Sequence, residues 1–162
     1  MPVLILARHA KAEPNGPTDF ERSLSATGLA QAVEAGAEIA ERWSPKVAIA
    51  SAARRTTQTG QAVVEAVNRV TGGDLELVLD ESLYGGGVED WMDAIRSIPA
   101  AAKCAYIVGH QPTVAEVVGH LSADAGVPES FRPSSLAVFD LPSWDVEPGA
   151  YPVPEIMSFR GI

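Results

Sequence analysis

The 162-residue sequence has little cysteine, few basic residues and no long apolar run. Its single cysteine, Cys104, cannot form an intramolecular disulfide, and the apolar run at 104–108 predicts a buried, inert thiol. Nothing in the cysteine content therefore requires an oxidising compartment. The first apolar run, at 3–7, is shorter than a secretory signal and has no basic region before it. We accordingly expect a cytoplasmic protein with no membrane partner.

Positive charge is scarce, because 12 Lys+Arg face 21 Asp+Glu and the formal net charge is −9. A field of this sign repels nucleic acid and anionic lipid at long range, so a nucleic-acid partner is not expected. The sequence also lacks a Gly-rich Walker loop, a zinc-type spacing of Cys and His, and a run of aspartates for magnesium. It predicts no metal and no cofactor. An anionic substrate would have to meet a few clustered arginines.

The remaining composition, 46% hydrophobic with 20% charged residues, is that of a globular protein, and the length suits one domain over 1–162. Short apolar segments alternate with amphipathic ones. The patterns predict strands at 3–7, 46–51, 75–79, 105–108, 136–141 and 156–159, and helices at 25–43, 54–72, 88–98 and 112–121. This alternation indicates an α/β fold, a three-layer α/β/α sandwich around a mainly parallel sheet. In the first helix, the spacing predicts a buried face formed by Leu29, Val33, Gly36, Ala37, Ile39 and Ala40.

Polar groups follow three of the predicted strands at the point where each strand ends. Arg8-His9 follows the first strand, the segment 51–55 with Arg54-Arg55 follows the second, and Gly109-His110 follows the fourth. Ligands of parallel sheets bind beyond the carboxyl ends of the strands, so these groups should meet. Arginine matches phosphate oxygens with paired hydrogen bonds, and histidine can act as donor, base or nucleophile near neutral pH. The sequence predicts a metal-independent phosphate site.

These residues resemble the motifs of a known family, the histidine phosphatase superfamily. The segment 4–10 is similar to its Arg-His-Gly signature, with Ala10 in place of the glycine. The segment 51–59 is similar to a second motif, in which a serine is followed four residues later by arginine and eight later by threonine; this register selects Arg55 and not Arg54. The segment 108–112 resembles the third motif, with His110. The resemblance implies a phosphoglycerate mutase-like fold.

Two further segments resemble the short bacterial phosphohistidine phosphatases of the SixA type within that superfamily. The segment 19–25, with Asp19 and Arg22, is similar to the Asp-x-x-Arg-x-Leu-[Ser/Thr] pattern of that subgroup. Ester-cleaving members place a glutamate two residues after a leucine in the loop following the third strand, whereas here Leu83 is followed by Tyr84 and Gly85. An alkoxide leaving group needs a general acid, and the imidazole of phosphohistidine does not.

The resemblance implies a double displacement through a phosphohistidine on the enzyme. His9 would attack phosphorus with an unprotonated nitrogen while its other ring nitrogen donates to a backbone carbonyl. Arg8 and Arg55 would bind the phosphoryl oxygens, and His110, if protonated, would be a further donor. We expect Arg22, Asp19 and Ser51 to contribute to substrate binding, and we place Arg54 and His120 outside the site.

Two alternatives to phosphohistidine hydrolysis on a phosphorylated protein, such as a histidine phosphotransfer domain, stay open at this point. The same pocket could hydrolyse a small phosphorylated metabolite: a phosphomonoester, nucleotide or polyphosphate. A general acid would then come from Asp19, Glu81 or Glu89. The protein could also bind phosphorylated ligands without turnover, although a pure binding module has no need of a nucleophile.

Overall fold

The computed structural model describes residues 1–123, 128 and 130–161, and within them the chain forms six strands and four α-helices. The strands are β1 (Val3–Arg8), β2 (Val47–Ser51), β3 (Leu77–Asp80), β4 (Cys104–Gly109), β5 (Ser135–Asp140) and β6 (Glu155–Ser158). The helices are α1 (Ala26–Arg42), α2 (Arg54–Thr71), α3 (Val88–Arg96) and α4 (Thr113–Leu121), with a 3₁₀ turn at Glu81–Leu83. None of these helices is both long enough and apolar enough to cross a membrane.

The six strands form one sheet in the order β3-β2-β4-β1-β5-β6. Strands β3, β2, β4 and β1 are mutually parallel, β5 is antiparallel to β1, and β6 is antiparallel to β5. The predicted mainly parallel sheet is therefore confirmed. Because β2, β4 and β1 are neighbours and parallel, their carboxyl ends lie side by side in the middle of the sheet.

Side chains of β1 point alternately to the two faces of the sheet, and each face is covered by two helices. Leu4 and Leu6 pack into a core with α3 and α4, whereas Ile5 and Ala7 pack into a second core with α1 and α2. All four side chains are 2% exposed or less. A strand buried on both faces reads as a continuous apolar run, which explains why the β1 sequence shows no alternation.

The predicted buried face of α1 is wrong in part. Leu29 and Val33 are 48% and 64% exposed, and Ala37 is exposed as well. The buried residues of α1 are Gly28, Gln31, Ala32, Ala35, Gly36, Ile39 and Ala40. The helix packs closely on α2, since a Cβ on Gly36 would lie 3.0 Å from the Ala62 carbonyl oxygen. Close helix approach selects small side chains, which carry little hydrophobic signal in the sequence.

Gly109 at the end of β4 is required by the indole ring packed against it. A Cβ built on Gly109 would collide with the Trp91 ring, and Trp91 is fully buried on α3. We expect Gly109→Ala to lower the free energy of unfolding by about 1–3 kcal/mol, the usual cost of overpacking a core. Denaturant unfolding measures this loss.

Gly87 supplies the matched control for that substitution. It precedes α3 with a φ of −104°, and a Cβ there would meet no atom within 4 Å. Gly87→Ala should therefore change the free energy of unfolding by less than about 1 kcal/mol. Equal stabilities of the two variants would show that the ring gives way to the added methyl group.

Candidate active site

His9 and His110 lie side by side because they follow paired residues of neighbouring strands. Arg8 in β1 pairs with Gly109 in β4, and the His9 backbone N–H donates to the Gly109 carbonyl at 3.1 Å. The centroids of the two imidazole rings are 5.6 Å apart. The parallel register thus brings together two residues that are 101 positions apart in the sequence.

The His9 ring is held in a defined tautomer. Its Nδ1 lies 2.7 Å from the carbonyl oxygen of Ala10, and because a carbonyl can only accept, Nδ1 carries the proton. The lone pair is therefore on Nε2. Burial, followed by the nearby His110, Arg55 and Arg8, lowers the pKa of His9 to about 3 against the opposing backbone hydrogen bond. The structure thus contains the hydrogen bond between a His9 ring nitrogen and a backbone carbonyl that we expect from the sequence.

His110 contacts the end of β2. Its Nε2 lies 2.8 Å from the Ser51 hydroxyl oxygen, and Ser51 is fully buried. Its other ring nitrogen, Nδ1, is buried and has no hydrogen-bond partner among the described residues. Burial, and then the positive charge of Arg55, lowers the pKa of His110 to about 4. His110 is therefore neutral at pH 7 in this state, so the protonated form, which the resemblance would make a further donor, is not the one present here.

Arg55 occupies the second position of α2 and points into the site, whereas its neighbour Arg54 is exposed. The Arg55 residue is only 5% exposed. Its guanidinium donates to the Asp19 backbone carbonyl at 2.7 Å and to the Asp19 carboxylate at 3.1 Å. The Nε of Arg55 is buried with no partner among the described residues. The structure therefore places Arg55 in the site and Arg54 outside it, as the sequence register predicts.

Asp19 lies at the margin of the site and joins three side chains. Its carboxylate accepts from Arg55, from Arg22 at 2.9 Å and from the Tyr84 hydroxyl at 2.7 Å. The Tyr84 hydrogen bond, followed by those of the two arginines, lowers the pKa of Asp19 far below its ordinary value. Arg22 also donates to the Glu13 carbonyl, which ties it to its own loop. Asp19 is thus a carboxylate at neutral pH.

Arg8 reaches the site from the end of β1. One of its terminal nitrogens donates to the Phe131 carbonyl at 3.1 Å, and its Nε is buried with no partner among the described residues. Desolvation lowers the pKa of Arg8, and no acidic side chain of the described residues pairs with it. The Nε–H groups of Arg8 and Arg55 and the Nδ1 of His110 are thus three buried nitrogens with no hydrogen-bond partner among the described residues.

Sequence reasoning missed two aromatic residues of this site. The Tyr84 ring meets the His110 ring edge-on at 5.4 Å, and the Phe20 ring meets Tyr84 edge-on at 4.9 Å. In the sequence, Tyr84 is notable only because it lies between Leu83 and Gly85, in the loop where ester-cleaving members of the superfamily carry a glutamate. Its contacts with Asp19 and His110 depend on the 3₁₀ turn that precedes it, which the sequence does not predict.

Ala10, which replaces the glycine of the first motif, fits without backbone strain. Its φ is not positive, since Ser44 and Ser134 are the non-glycine residues with positive φ in the described part of the chain. Its methyl group packs in a small core with Leu24 and Ala32, and its N–H donates to Thr59 Oγ1 at 3.1 Å. The added methyl therefore contributes to packing beneath the site.

The two other candidate acids lie on the surface. Glu81 begins the 3₁₀ turn and Glu89 lies in the first turn of α3, and both side chains are exposed. Gly85 occupies the position where the resemblance expects a glutamate. Its φ is +78°, and a Cβ built on it would meet no atom within 4 Å. Of these candidates, Asp19 is the carboxylate that contacts the site arginine.

Similar solved structures cover nearly the whole chain. SixA from Nakamurella multipartitia, named a "putative phosphohistidine phosphatase", is 26% identical with a TM-score of 0.80, covering 98% of this chain and 96% of that one. The protein of the same name from Agrobacterium tumefaciens is 29% identical with a TM-score of 0.74, covering 88% and 94%. The protein histidine phosphatase SixA complexed with tungstate, 18% identical and with a TM-score of 0.78, covers 96% of each chain and shares the fold.

Sequence comparison gives two further findings. No curated protein matches the chain. Residues 4–103 match the sequence profile of the histidine phosphatase superfamily, branch 1. This match covers more than half of the chain and includes β1, β2 and the segment between them. The fold is accordingly the phosphoglycerate mutase-like α/β/α sandwich, and the protein belongs to the histidine phosphatase superfamily.

Proposed function

We propose that this protein is a metal-independent phosphatase that uses His9 as its nucleophile and acts on phosphohistidine carried by another protein. The observation that carries the proposal is the lone pair of His9 Nε2, held beside Arg8, Arg55 and His110, whose buried nitrogens have no hydrogen-bond partner among the described residues. A buried donor left unsatisfied costs about 1–3 kcal/mol, and phosphoryl oxygens would satisfy all three.

The reaction follows from this arrangement in two steps. His9 Nε2 attacks phosphorus, the bond from phosphorus to the substrate nitrogen breaks, and the phosphoryl group passes to His9. Water then attacks the same phosphorus from the side that the substrate nitrogen has left, and the bond between phosphorus and Nε2 breaks. This step releases inorganic phosphate and restores the lone pair on Nε2. Arg8 and Arg55 bind the equatorial oxygens, where the loose transition state holds its negative charge.

Ser51 takes a positioning role in this proposal. If its hydroxyl donates to His110 Nε2, the single proton of the neutral His110 ring resides on Nδ1, the buried nitrogen without a partner. Nδ1–H then donates to a phosphoryl oxygen. The predicted contribution of Ser51 to substrate binding thus becomes an indirect one, made through the tautomer of His110.

The preference for phosphohistidine follows from the leaving group. Phosphohistidine takes a proton from solvent on its second ring nitrogen near neutral pH, so its ring leaves as neutral imidazole without an acid from the enzyme. An alkoxide requires such an acid. Asp19 cannot supply it because its lowered pKa keeps it ionised, and Gly85 has no side chain to offer. The similarity to the SixA structures supports the same substrate class.

A matched pair of peptides tests this proposal. The two peptides share one sequence and carry either phosphohistidine or phosphoserine at the same position, and release of inorganic phosphate is measured with EDTA present. We expect kcat/KM to be higher for phosphohistidine by roughly 10²-fold or more, the lower range of what a general acid contributes to ester cleavage. The uncatalysed hydrolysis rates of both peptides are measured as well, and they correct the comparison for the difference in intrinsic reactivity of the two phosphorylated side chains.

Equal or faster hydrolysis of phosphoserine, after this correction, would contradict the proposed substrate class. It would indicate that a general acid operates and would favour a small or protein-bound phosphomonoester as substrate. Glu81→Gln and Glu89→Gln would then identify the acid. Binding of both peptides without release of phosphate would instead favour a module that recognises phosphate without turnover.

A further inference from the structure

A basic cavity of about 380 Å³ opens beside the proposed catalytic site. Its walls come from the loop after β1, the start of α1, the segment before β5 and the segment after β6. The lining includes three cations, Lys11, Arg132 and Arg160, together with Gln31, Ser158 and Phe159. None of the residues assigned to catalysis lines it.

The strand register places this cavity on the same side of the sheet as His9, the side where the carboxyl end of β1 lies. In β5, Leu136 pairs with Ala7 of β1, and Ser135 pairs with Ser158 of β6. Ser158 therefore lies level with the end of β1 and two strands away from it, which is about 10 Å at the usual strand spacing. The cavity is near enough for one substrate molecule to reach both places.

Hydrogen bonds connect the cavity wall to the His9 loop. Gln31, only 9% exposed, accepts from the Lys11 backbone N–H at 2.9 Å. The Ser134 N–H, next to the cavity wall, donates to the His9 carbonyl at 3.0 Å. Arg132 follows the residue whose carbonyl accepts from Arg8. The distance between the cavity and His9 is thus set by ordered backbone.

The charge of the cavity is opposite to that of the whole protein. Three of the 12 lysines and arginines line it, and no carboxylate of the described part of the chain does, although the formal net charge is −9. None of the three cations forms an ion pair with a described residue. Glu34, at the margin, accepts from the Gly161 backbone N–H. The cavity therefore attracts negative charge locally.

The three cations are exposed and come from separate segments, in contrast to the buried Arg55 of the phosphate site. Such an arrangement suits several carboxylates spread over a protein surface better than one compact dianion. The aromatic ring of Phe159 and the neighbouring Pro133 add apolar surface that a peptide chain can cover. We infer that this cavity binds acidic side chains of the protein that presents phosphohistidine to His9. The inference rests on the proposed function.

Peptides that differ only in charge test the inference. One peptide carries glutamates three residues to either side of phosphohistidine, about 10 Å away in an extended chain, and the other carries glutamines there. One of the two glutamates reaches the cavity whichever way the peptide runs, so wild-type protein should prefer the glutamate peptide in kcat/KM by about twofold to fivefold, the effect of one exposed ion pair, and salt should reduce the preference.

Two triple variants with the same net charge separate an effect of the cavity cations from an effect of the net charge of the whole protein. The variant Lys11→Gln/Arg132→Gln/Arg160→Gln should lose the preference while hydrolysing free phosphohistidine within twofold of wild type. The control, Lys46→Gln/Arg69→Gln/Lys103→Gln, changes three exposed cations elsewhere and should keep the preference. No preference in wild type, a preference kept by the cavity variant, or an equal loss on free phosphohistidine would each overturn the inference.

The affinity of fluorescent peptides measures binding at the cavity independently of turnover. The same glutamate and glutamine peptides, with unphosphorylated histidine, are titrated with wild type and with both variants by anisotropy. Tighter binding of the glutamate peptide, lost only in the cavity variant, supports the acidic docking site. Failure to hydrolyse any phosphohistidine substrate would overturn the proposed function, and absence of this binding difference would overturn the docking site.

Discussion

Replacing His9 with alanine is expected to lower kcat for phosphohistidine peptides by about 10⁴-fold or more, because the variant lacks the nucleophile of the proposed mechanism. His9 is 8% exposed and its ring makes one hydrogen bond, to its neighbour's carbonyl, so the fold should survive the change. Release of inorganic phosphate measures the loss, and the thermal midpoint confirms that the variant is folded. Activity within tenfold of wild type would exclude His9 as the nucleophile.

A covalent intermediate on His9 gives the complementary test. A radiolabelled substrate is mixed with wild-type protein, and the reaction is stopped in base, where a phosphorus–nitrogen bond survives. Label should be retained by wild type, be lost on acid treatment and be absent from His9→Ala. His120→Ala is the control, because His120 lies on α4 outside the site and should label like wild type.

Replacing Arg55 with lysine is expected to lower kcat/KM by about 10²–10³-fold, the effect of removing one preorganised donor from a developing anion. Lysine keeps the charge but cannot present the planar fork that matches two phosphoryl oxygens. Arg55 is buried at the start of α2, so no solvent-exposed cation can take its place. Most of the loss should fall on kcat, since the charge of the transition state is greatest on those oxygens.

The neighbouring arginine provides the control for this substitution. Arg54→Lys makes the same chemical change one position earlier, on an exposed side chain, and kcat/KM should stay within twofold of wild type. Equal losses in both variants would show that the register of the second motif does not decide which arginine acts. A larger loss in Arg54→Lys would reverse the assignment.

In the proposed mechanism, the contact between Asp19 and Arg55 decides which donors of Arg55 are open to a phosphoryl group. Asp19 occupies two terminal donors of Arg55 through its carbonyl and carboxylate, while Nε stays without a partner. The phosphoryl group can bind Nε and compete with the carboxylate for the second donor. Arg22 and Tyr84 then keep the displaced carboxylate hydrogen-bonded. In the proposed mechanism, Asp19 thereby holds Arg55 in place without acting as an acid.

The positions of these site residues could be predicted from the sequence because each lies at the end of a strand, directly after one, or in the first turn of a helix: Arg8, His9, Arg55 and His110. A polar residue directly after a buried apolar run has little freedom, since the strand fixes its backbone and the parallel sheet fixes its neighbours. The same argument correctly placed Ser51 at the end of β2. It did not predict that Ser51 contacts His110, because that contact depends on the rotamers of two side chains.

Residues in loops and on the helix surface escaped prediction for physical reasons. Tyr84 meets Asp19 and His110 across loops whose paths depend on packing, and no periodicity marks such a contact. The buried face of α1 was misjudged because glycine and alanine allow the close approach of α2 while contributing little hydrophobic signal.

The sequence by itself determined the alternation of strands and helices, the acidic charge and the identity of the groups at the strand ends. Each of these depends on local pattern or composition. Only the tertiary structure decided which groups share hydrogen bonds and which cations share a surface. Lys11 and Arg160 lie at opposite ends of the chain and meet because β6 adds to the sheet beside β5, two strands from β1.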